Sequence, residues 1–417
     1  MNTERPEVAA AACAPETIVI IGAGQAGGWA AHTLRAEGFK GRIVLIGDEL
    51  HPPHERPPLS KAVLAGEAHH ESTRLHKADA FEALALDWRP GVAVARIDRT
   101  AKQLELLGGE TLAYDKLILC TGGRARPLAV PGADAASVYT LRTIDDALAL
   151  APMLKPGRSV VVVGGGWIGL EVAATARKLG AEVVVIEAQS RLCERTVPRE
   201  ISEHLLCLHR AHGTRVMLGA SIRQVSTTGE GRSVVLLGDG SELPCDAIVA
   251  GIGLIPNDEL ARSAGLECEG GVIVDSRCRT SDPDILAAGD VAVAPNPWAG
   301  RRLRLESWQN AQEQGMAAAR SALGMEVDYQ PLPWFWSDQY GMNLQIYGVP
   351  APAHRVVARG TPGSDSFVLF YLDGQVVHAA IGPNAARDLR FARRLIEQRK
   401  PIDPDRLADV SIPMSKL

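Results

Sequence analysis

The chain has 417 residues, 46% of them hydrophobic and 22% charged, and a net charge of −5. That length exceeds one ordinary core and predicts two or three domains, while so mild a charge argues against nucleic acid or an anionic membrane as a general partner. No apolar run reaches the roughly 18 residues of a membrane-spanning helix, and the polar, Ala-rich start with Glu4, Arg5 and Glu7 lacks a signal-peptide pattern, so residues 1–15 read as a disordered tail.

Residues 18–21 form a β-branched run that reads as a buried parallel strand. It runs into Gly22-Ala23-Gly24-Gln25-Ala26-Gly27, and residues 25–36 have helix composition. Strand, glycine turn and helix in that order are the context of a dinucleotide-binding fingerprint. Gly22 permits the tight turn, Gly24 lets backbone approach a pyrophosphate, and Gly27 lets the helix pack close to the strand. The free N–H groups at the start of the helix then face the phosphates. A second strand over 42–46 leads to Asp48 and Glu49, either of which stands where a carboxylate binds the adenosine ribose. The loop 51–61 is stiffened by prolines and holds two cations in fixed places. Arg56 suits a pyrophosphate, and Lys61 suits the electron-rich end of a cofactor.

Short strands are predicted over 92–97 and 103–107, then a buried strand over 116–119 that ends in Cys120-Thr121-Gly122-Gly123, with Arg126 and Pro127 following. A helix is predicted over 143–155. The opening pattern then repeats: a strand over 159–163, the turn Gly164-Gly165-Gly166-Trp167-Ile168-Gly169, a helix, and a strand over 182–186 that ends in Glu187. An acid at that distance from the turn binds a ribose 2′-hydroxyl and repels a 2′-phosphate, which favours NADH over NADPH. Arg191 is the one residue against it. A strand ending at Gly251-Ile252-Gly253 closes this second unit, and a small-residue strand end over 284–291 delivers the carboxylate of Asp290, placed for ribityl hydroxyls. From residue 331 the composition changes. Trp334, Phe335 and Trp336 concentrate aromatics in a chain with only 5% of them, and alternating strands and a helix over 384–399 make a separate α+β domain. The last three residues match a peroxisomal address, read as coincidence.

Two dinucleotide-binding units call for two ligands, or for one ligand twice. The first has Arg56, Lys61, Thr121-Gly122 and Asp290 around it, which suit a long, tightly held FAD. The second is self-contained, which suits an exchangeable NADH. The expected fold class is therefore α/β, with two Rossmann-like domains and a C-terminal α+β domain. The FAD-binding domain would span 16–123 and 251–329, the NAD-binding domain 124–250 and the C-terminal domain 330–417. The seven cysteines are scattered at 13, 120, 193, 207, 245, 268 and 278. They spell no metal site, and their number suits free thiols in a reducing cytoplasm.

The order of these motifs resembles the FAD-dependent pyridine nucleotide–disulfide oxidoreductase superfamily. Arg56-Pro57-Pro58-Leu59-Ser60-Lys61, Glu306-Ser307-Trp308-Gln309-Asn310-Ala311 and Trp336-Ser337-Asp338-Gln339 narrow the resemblance to the ferredoxin reductase components of bacterial aromatic-ring dioxygenase systems. It implies that Gly22, Gly24, Gln25, Ala26 and Gly27 line the FAD pyrophosphate, with Arg56 and Arg126 beside the phosphates. Asp48 and Glu49 would face the adenosine ribose, the Val94 backbone the adenine, and Asp290 the ribityl chain. Ser307, Trp308 and Trp336 would lie by the isoalloxazine, and Gly164, Gly166, Ile168, Gly169, Glu187 and Gly253 would serve NADH. Lys61, paired with Glu171, would stand near flavin N5, where a cation stabilises reduced flavin. Lys61, Glu171 and Trp336 are the catalytic candidates, and no metal is expected.

Disulfide reductases carry a cysteine pair soon after the first fingerprint, whereas residues 28–119 here contain none. Electrons must then pass outward, which suits a one-electron iron–sulfur partner and leaves a quinone, oxygen or a peroxide as other outlets. The resemblance implies a small [2Fe-2S] ferredoxin, acidic and of Rieske type. A P450 ferredoxin, a rubredoxin or a quinone remain as other acceptors, and an NADH-sensing flavoprotein without turnover as another class. Arg387, Arg390 and Arg394 share a helical face, and Arg301, Arg302 and Arg304 form a second cluster; either suits such a partner. A cytoplasmic monomer or homodimer is expected.

Overall fold

The β-branched run at residues 18–21 is apolar without alternation because it is buried on both faces. Ile18 and Ile20 pack against Ala30, Leu34 and Ala318 on one side, and Val19 and Ile21 against Leu104, Leu117 and Ile285 on the other. The computed structural model describes residues 15–135, 137–228 and 232–417; all but the last residue of the expected N-terminal tail lies outside them. In it, strand Thr17–Ile21 is the centre of a five-stranded sheet in the order Ile285–Ala287, Lys116–Leu119, Thr17–Ile21, Arg42–Gly47, Asp87–Pro90. Every pair in this sheet is parallel.

A second five-stranded parallel sheet repeats the plan, with Ser159–Val163 at its centre between Glu182–Glu187 and Ala247–Ala250. Strands Arg215–Leu218 and Val138–Tyr139 are its edges. The first sheet is finished by a strand that arrives only after the second is complete, since Ile285–Ala287 pairs with Lys116–Leu119. The fold is α/β with a C-terminal antiparallel sheet of five strands, Trp334–Gln339, Met342–Gly348, Val376–Pro383, Val368–Asp373 and Arg355–Arg359, covered by helix Ala386–Gln398.

Small residues set how closely the helices of the first unit approach. A Cβ on Gly315 would lie 2.3 Å from the Ala26 carbonyl oxygen, so helix Trp308–Ala322 crosses Gln25–Ala36 at a distance only glycine allows. That crossing carries Ser307 and Trp308 to the first glycine turn. The helix predicted over 143–155 is helical only over Ile144–Leu150, followed by a short 3-10 turn at Ala151–Met153, because Pro152 cannot donate the next hydrogen bond. Among the described residues no helix is long and apolar enough to cross a membrane.

The end of the chain is tied down by one buried cation. Arg359, 6% exposed, donates to the carbonyls of Leu407, Asp409 and Ile412 and to the Asp388 carboxylate. Replacing it by methionine leaves those acceptors unpaired. The Arg359→Met variant is expected to lose about 3 kcal/mol of stability in urea titration and to become cleavable by protease within residues 403–417. Unchanged protease resistance would show that the apolar contacts of Leu407 and Met414 suffice.

Candidate functional site

The two glycine turns are built alike. Gly22 has φ +105°, and a Cβ there would stand 2.1 Å from the Cys120 carbonyl oxygen; Gly164 has φ +102°, and its Cβ would stand 2.4 Å from that of Gly251. Gly27 and Gly169 lie beneath the turns: a Cβ on either would meet the carbonyl oxygen of the turn's first glycine, at 1.9 and 2.2 Å. They therefore set helix–strand packing and do not line the cleft. Gly24 and Gly166 face open space, with no heavy atom nearer than 3.7 and 3.9 Å.

Both turns open into one cleft of about 970 Å³. Of the predicted residues, Gly22, Gly24, Gln25, Ala26, Asp48, Glu49, Arg56, Lys61, Asp290, Ser307, Trp308 and Trp336 line it on the first unit's side. Gly164, Gly166, Ile168, Glu171, Glu187 and Gly253 line it on the second's. Besides Gly27 and Gly169, two predicted residues are not brought there. Val94 sits in strand Val94–Asp98, paired with Leu106, and packs towards the core beneath the first sheet. Arg126 is exposed, and only its backbone is engaged, its N–H donating to the Gly253 carbonyl.

The anchoring charges form a chain. Arg56 donates to Glu49 Oε1 at 2.6 Å and to the Arg142 carbonyl at 2.5 Å, and Arg142 donates to Asp290 Oδ2 at 2.7 Å. Burial and then the neighbouring Arg142 guanidinium lower the Arg56 pKa, and Glu49 opposes them. Sequence reading missed Arg142, although a signal was present. Thr143 and Asp146 form a capping box, which places the preceding arginine at a helix start beside the turn.

At the second unit, Glu187 accepts from the backbone N–H groups of Gly165 and Gln189 at 2.6 and 2.7 Å. Arg191 turns away, donating to the Val197 and Glu194 carbonyls and to Ser202 Oγ. Between the units stands a buried ion pair. Lys61 Nζ lies 2.9 Å from Glu171 Oε2, with Lys61 22% exposed and Glu171 5% exposed at the side chain. Glu171 also accepts from Ser60 Oγ at 2.5 Å and from Ser337 Oγ at 2.6 Å. The aromatic wall is Trp308 edge-on to Trp336, ring centres 5.9 Å apart, and Trp336 stacked on Trp334 at 4.9 Å. Cys120 and Cys193 reach the cleft wall as buried free thiols; burial pushes Cys120 up to about 12 and Cys193 up as well. The six described cysteines are all free.

The cleft's own unpaired groups fit FAD. Gln25 lines it nearly buried, with neither amide atom hydrogen-bonded, and Arg142 Nε is likewise buried and unpaired. Beside them, helix Gln25–Ala36 begins at Gly24 without a side-chain cap. Unpaired buried donors beside an uncapped helix start suit a pyrophosphate. The sequence profile described as pyridine nucleotide-disulphide oxidoreductase matches residues 16–315, and one described as reductase C-terminal matches residues 334–417. The chain belongs to the pyridine nucleotide-disulphide oxidoreductase family.

This oxidoreductase is FAD-dependent and uses NADH. It is 40% identical to rhodocoxin reductase of Rhodococcus erythropolis, over 94% of this chain and 92% of that one. It is also 40% identical to the ferredoxin–NAD(+) reductase component of the anthranilate 1,2-dioxygenase system of Burkholderia cepacia, over 95% and 98%. Among solved structures it is similar to the covalent putidaredoxin reductase–putidaredoxin complex, with a TM-score of 0.93 and 38% identity over 96% of this chain and 97% of that one.

Proposed function

We propose that this oxidoreductase is an NADH:ferredoxin reductase whose carrier is a Rieske-type [2Fe-2S] ferredoxin serving an aromatic-ring dioxygenase. The observation that carries the reading is a single cleft holding both glycine turns, with an ion pair from Lys61 to Glu171 joining one unit to the other. Bound FAD supplies the chemistry, accepting electrons from NADH as a pair and releasing them singly. Gln25, Arg56, Arg142 and the first helix start hold its phosphates, and Asp48, Glu49 and Asp290 its sugar hydroxyls. Glu187 holds the adenosine ribose of NADH, and Lys61 keeps a positive charge at the reacting end of the cleft. Trp308 and Trp336 close that end against water. Among the described residues every cysteine is a free thiol and residues 28–119 hold none, so electrons leave for an outside carrier. The domain limits 16–123 with 251–329, 124–250 and 330–417 belong to the same proposal, as do a cytoplasmic setting and a monomer or homodimer.

The test is NADH-dependent cytochrome c reduction with and without a Rieske-type ferredoxin. Turnover that is slow alone and rises steeply with that ferredoxin supports the reading. A second reading, in which the carrier is a [2Fe-2S] ferredoxin akin to putidaredoxin, is favoured by the similarity to the putidaredoxin complex, and a steep rise with that carrier alone would select it. If neither carrier changes turnover, the acceptor assignment fails.

An acidic carrier has a basic face to meet. Arg387, Arg390 and Arg394 are exposed on helix Ala386–Gln398, and Arg301 and Arg302 are exposed as well. Arg399 lies 4.6 Å over the Trp298 ring, in the turn just before Arg301, so the two clusters adjoin. Arg304 is spent on Glu306 and the Asp290 carbonyl. Reversing charge at Arg390 and Arg394 is expected to raise the KM for the ferredoxin about tenfold at low salt and to flatten its salt dependence, leaving flavin reduction by NADH unchanged. An unaltered salt dependence would remove this helix from the dock.

A further inference from the structure

Behind the Lys61–Glu171 pair runs a line of buried polar groups that the reaction does not itself require. Ser337 Oγ, which donates to Glu171 Oε1, lies 3.0 Å from Gln339 Nε2. Gln339 Oε1 lies 2.8 Å from His209 Nε2, and His209 Nδ1 lies 3.5 Å from Tyr340 Oη, which is 3.0 Å from Thr214 Oγ1. Ser337, Gln339 and His209 are fully buried or nearly so, and none of the three lines the cleft. Glu171 belongs to helix Trp167–Lys178, His209 to helix Arg199–Ala211, and Ser337 and Gln339 to strand Trp334–Gln339 of the C-terminal sheet.

The donors and acceptors allow one direction along this line. An ionised carboxylate only accepts, so the Ser337 hydroxyl hydrogen is committed to Glu171 and its oxygen must receive from elsewhere. Gln339 can supply that donor only with its amide nitrogen towards Ser337, which turns its carbonyl oxygen to His209. His209 must then carry its hydrogen on Nε2 and accept at Nδ1 from Tyr340. Turning the Gln339 amide over would set two acceptors against each other at Ser337. Burial lowers His209 to about 4, with the Gln339 hydrogen bond opposing and His212 assisting, so the ring is neutral, as the line needs. The titratable groups shown facing Glu171 are Lys61 and the Cys193 thiol, and those facing His209 are Tyr340 and His212.

We propose that His209 is a positioning residue for the Lys61–Glu171 pair, acting through Gln339 and Ser337 to hold the Glu171 carboxylate in the orientation that presents the Lys61 ammonium to the cleft. Glu171 Oε1 has Ser337 as its donor, whereas Oε2 has both Ser60 and Lys61. Once Ser337 is free to turn, the carboxylate rotates to satisfy Oε1 and draws the ammonium back with it. His209 thereby makes the C-terminal sheet part of the active arrangement, because the line crosses from the second unit into that sheet and back. The inference rests on the reading of Lys61 as the charge beside the cofactor.

The experiment compares His209→Leu, His209→Gln and Ser337→Ala as flavin-loaded proteins, following two signals on mixing with NADH. These are the limiting rate of flavin reduction with its apparent Kd for NADH, and the long-wavelength absorbance of the reduced-flavin–NAD complex. His209→Leu and Ser337→Ala are each expected to slow the limiting rate five- to tenfold, leave the apparent Kd within twofold and weaken the long-wavelength band. In His209→Gln the amide nitrogen stands in for Nε2–H and is expected to restore both signals. If His209→Leu does not fold, Ser337→Ala decides alone: the same loss supports the proposal, and wild-type rate and band overturn it. A loss in His209→Leu that His209→Gln fails to restore also overturns it, as a packing effect. Lys61→Ala separates this inference from the reading beneath it. If that variant keeps the wild-type rate and band, the role of Lys61 fails; if it loses them while the His209 and Ser337 variants keep them, only the positioning line fails.

Discussion

Replacing Lys61 with alanine is expected to slow reduction of the bound flavin by NADH about 100-fold and to abolish the long-wavelength absorbance that accompanies it, both read by stopped-flow spectrophotometry. The ammonium is the one cation within hydrogen-bonding distance of Glu171 among the described residues. Its removal therefore takes a positive charge from the cleft and strands a buried carboxylate with two serine hydroxyls. Breaking a fully buried pair costs about 3–5 kcal/mol. Here the loss of stability should fall below that range, because Lys61 reaches the cleft and is partly screened. Glu171→Gln should have a smaller effect on rate, since the amide keeps a hydrogen-bonding oxygen and leaves Lys61 charged. Wild-type rate and absorbance in Lys61→Ala would show that the pair is a structural tie between the two units and nothing more.

The glycines of the first turn are expected to part into two behaviours when changed to alanine. Gly27→Ala should yield little folded protein, because its methyl group would lie 1.9 Å from the Gly22 carbonyl oxygen, a backbone atom, and 3.3 Å from Ile20 Cγ2 in the buried strand. Gly24→Ala should fold, since its methyl group meets nothing nearer than Arg56 Nη2 at 3.7 Å, a flexible side-chain end. That methyl group would instead occupy the space where a pyrophosphate approaches. The expected result is an apoprotein with near-wild-type thermal unfolding and at least tenfold weaker flavin retention on dialysis. Full retention in Gly24→Ala would place the phosphates elsewhere in the cleft, and a well-folded Gly27→Ala would mean the helix can shift outward at small cost.

The two glycines also show what kind of information a chain carries locally. A strand, a turn and a helix that follow one another in 20 residues impose their geometry on each other directly, so the repeated Gly-x-Gly-x-x-Gly turns could be read from spacing alone. So could Asp48, Glu49 and Glu187, which end the strands next in order and sit beside those turns in each parallel sheet. The C-terminal sheet announced itself through alternation, as in the pattern of Met342–Gly348, where every second residue is buried. Val94 and Arg126 were carried over by resemblance, and their backbone surroundings keep them out of the cleft lining. Arg142 was overlooked because its role depends on Asp290, which lies 148 residues away.

The sequence by itself determined the two nucleotide-binding units, their order and the acids that end their second strands, because hydrophobic period, glycine position and charge are set by neighbours in the chain. The Lys61–Glu171 pair was implied by the resemblance; only the tertiary structure decided that Ser60 and Ser337 complete the Glu171 shell and that His209 stands behind them. Those contacts join residues separated by 111 and 166 positions in the serine cases. They depend on the angles at which the two parallel sheets and the antiparallel sheet pack together, which are set by interdigitating side chains across the core and leave no periodic trace along the chain.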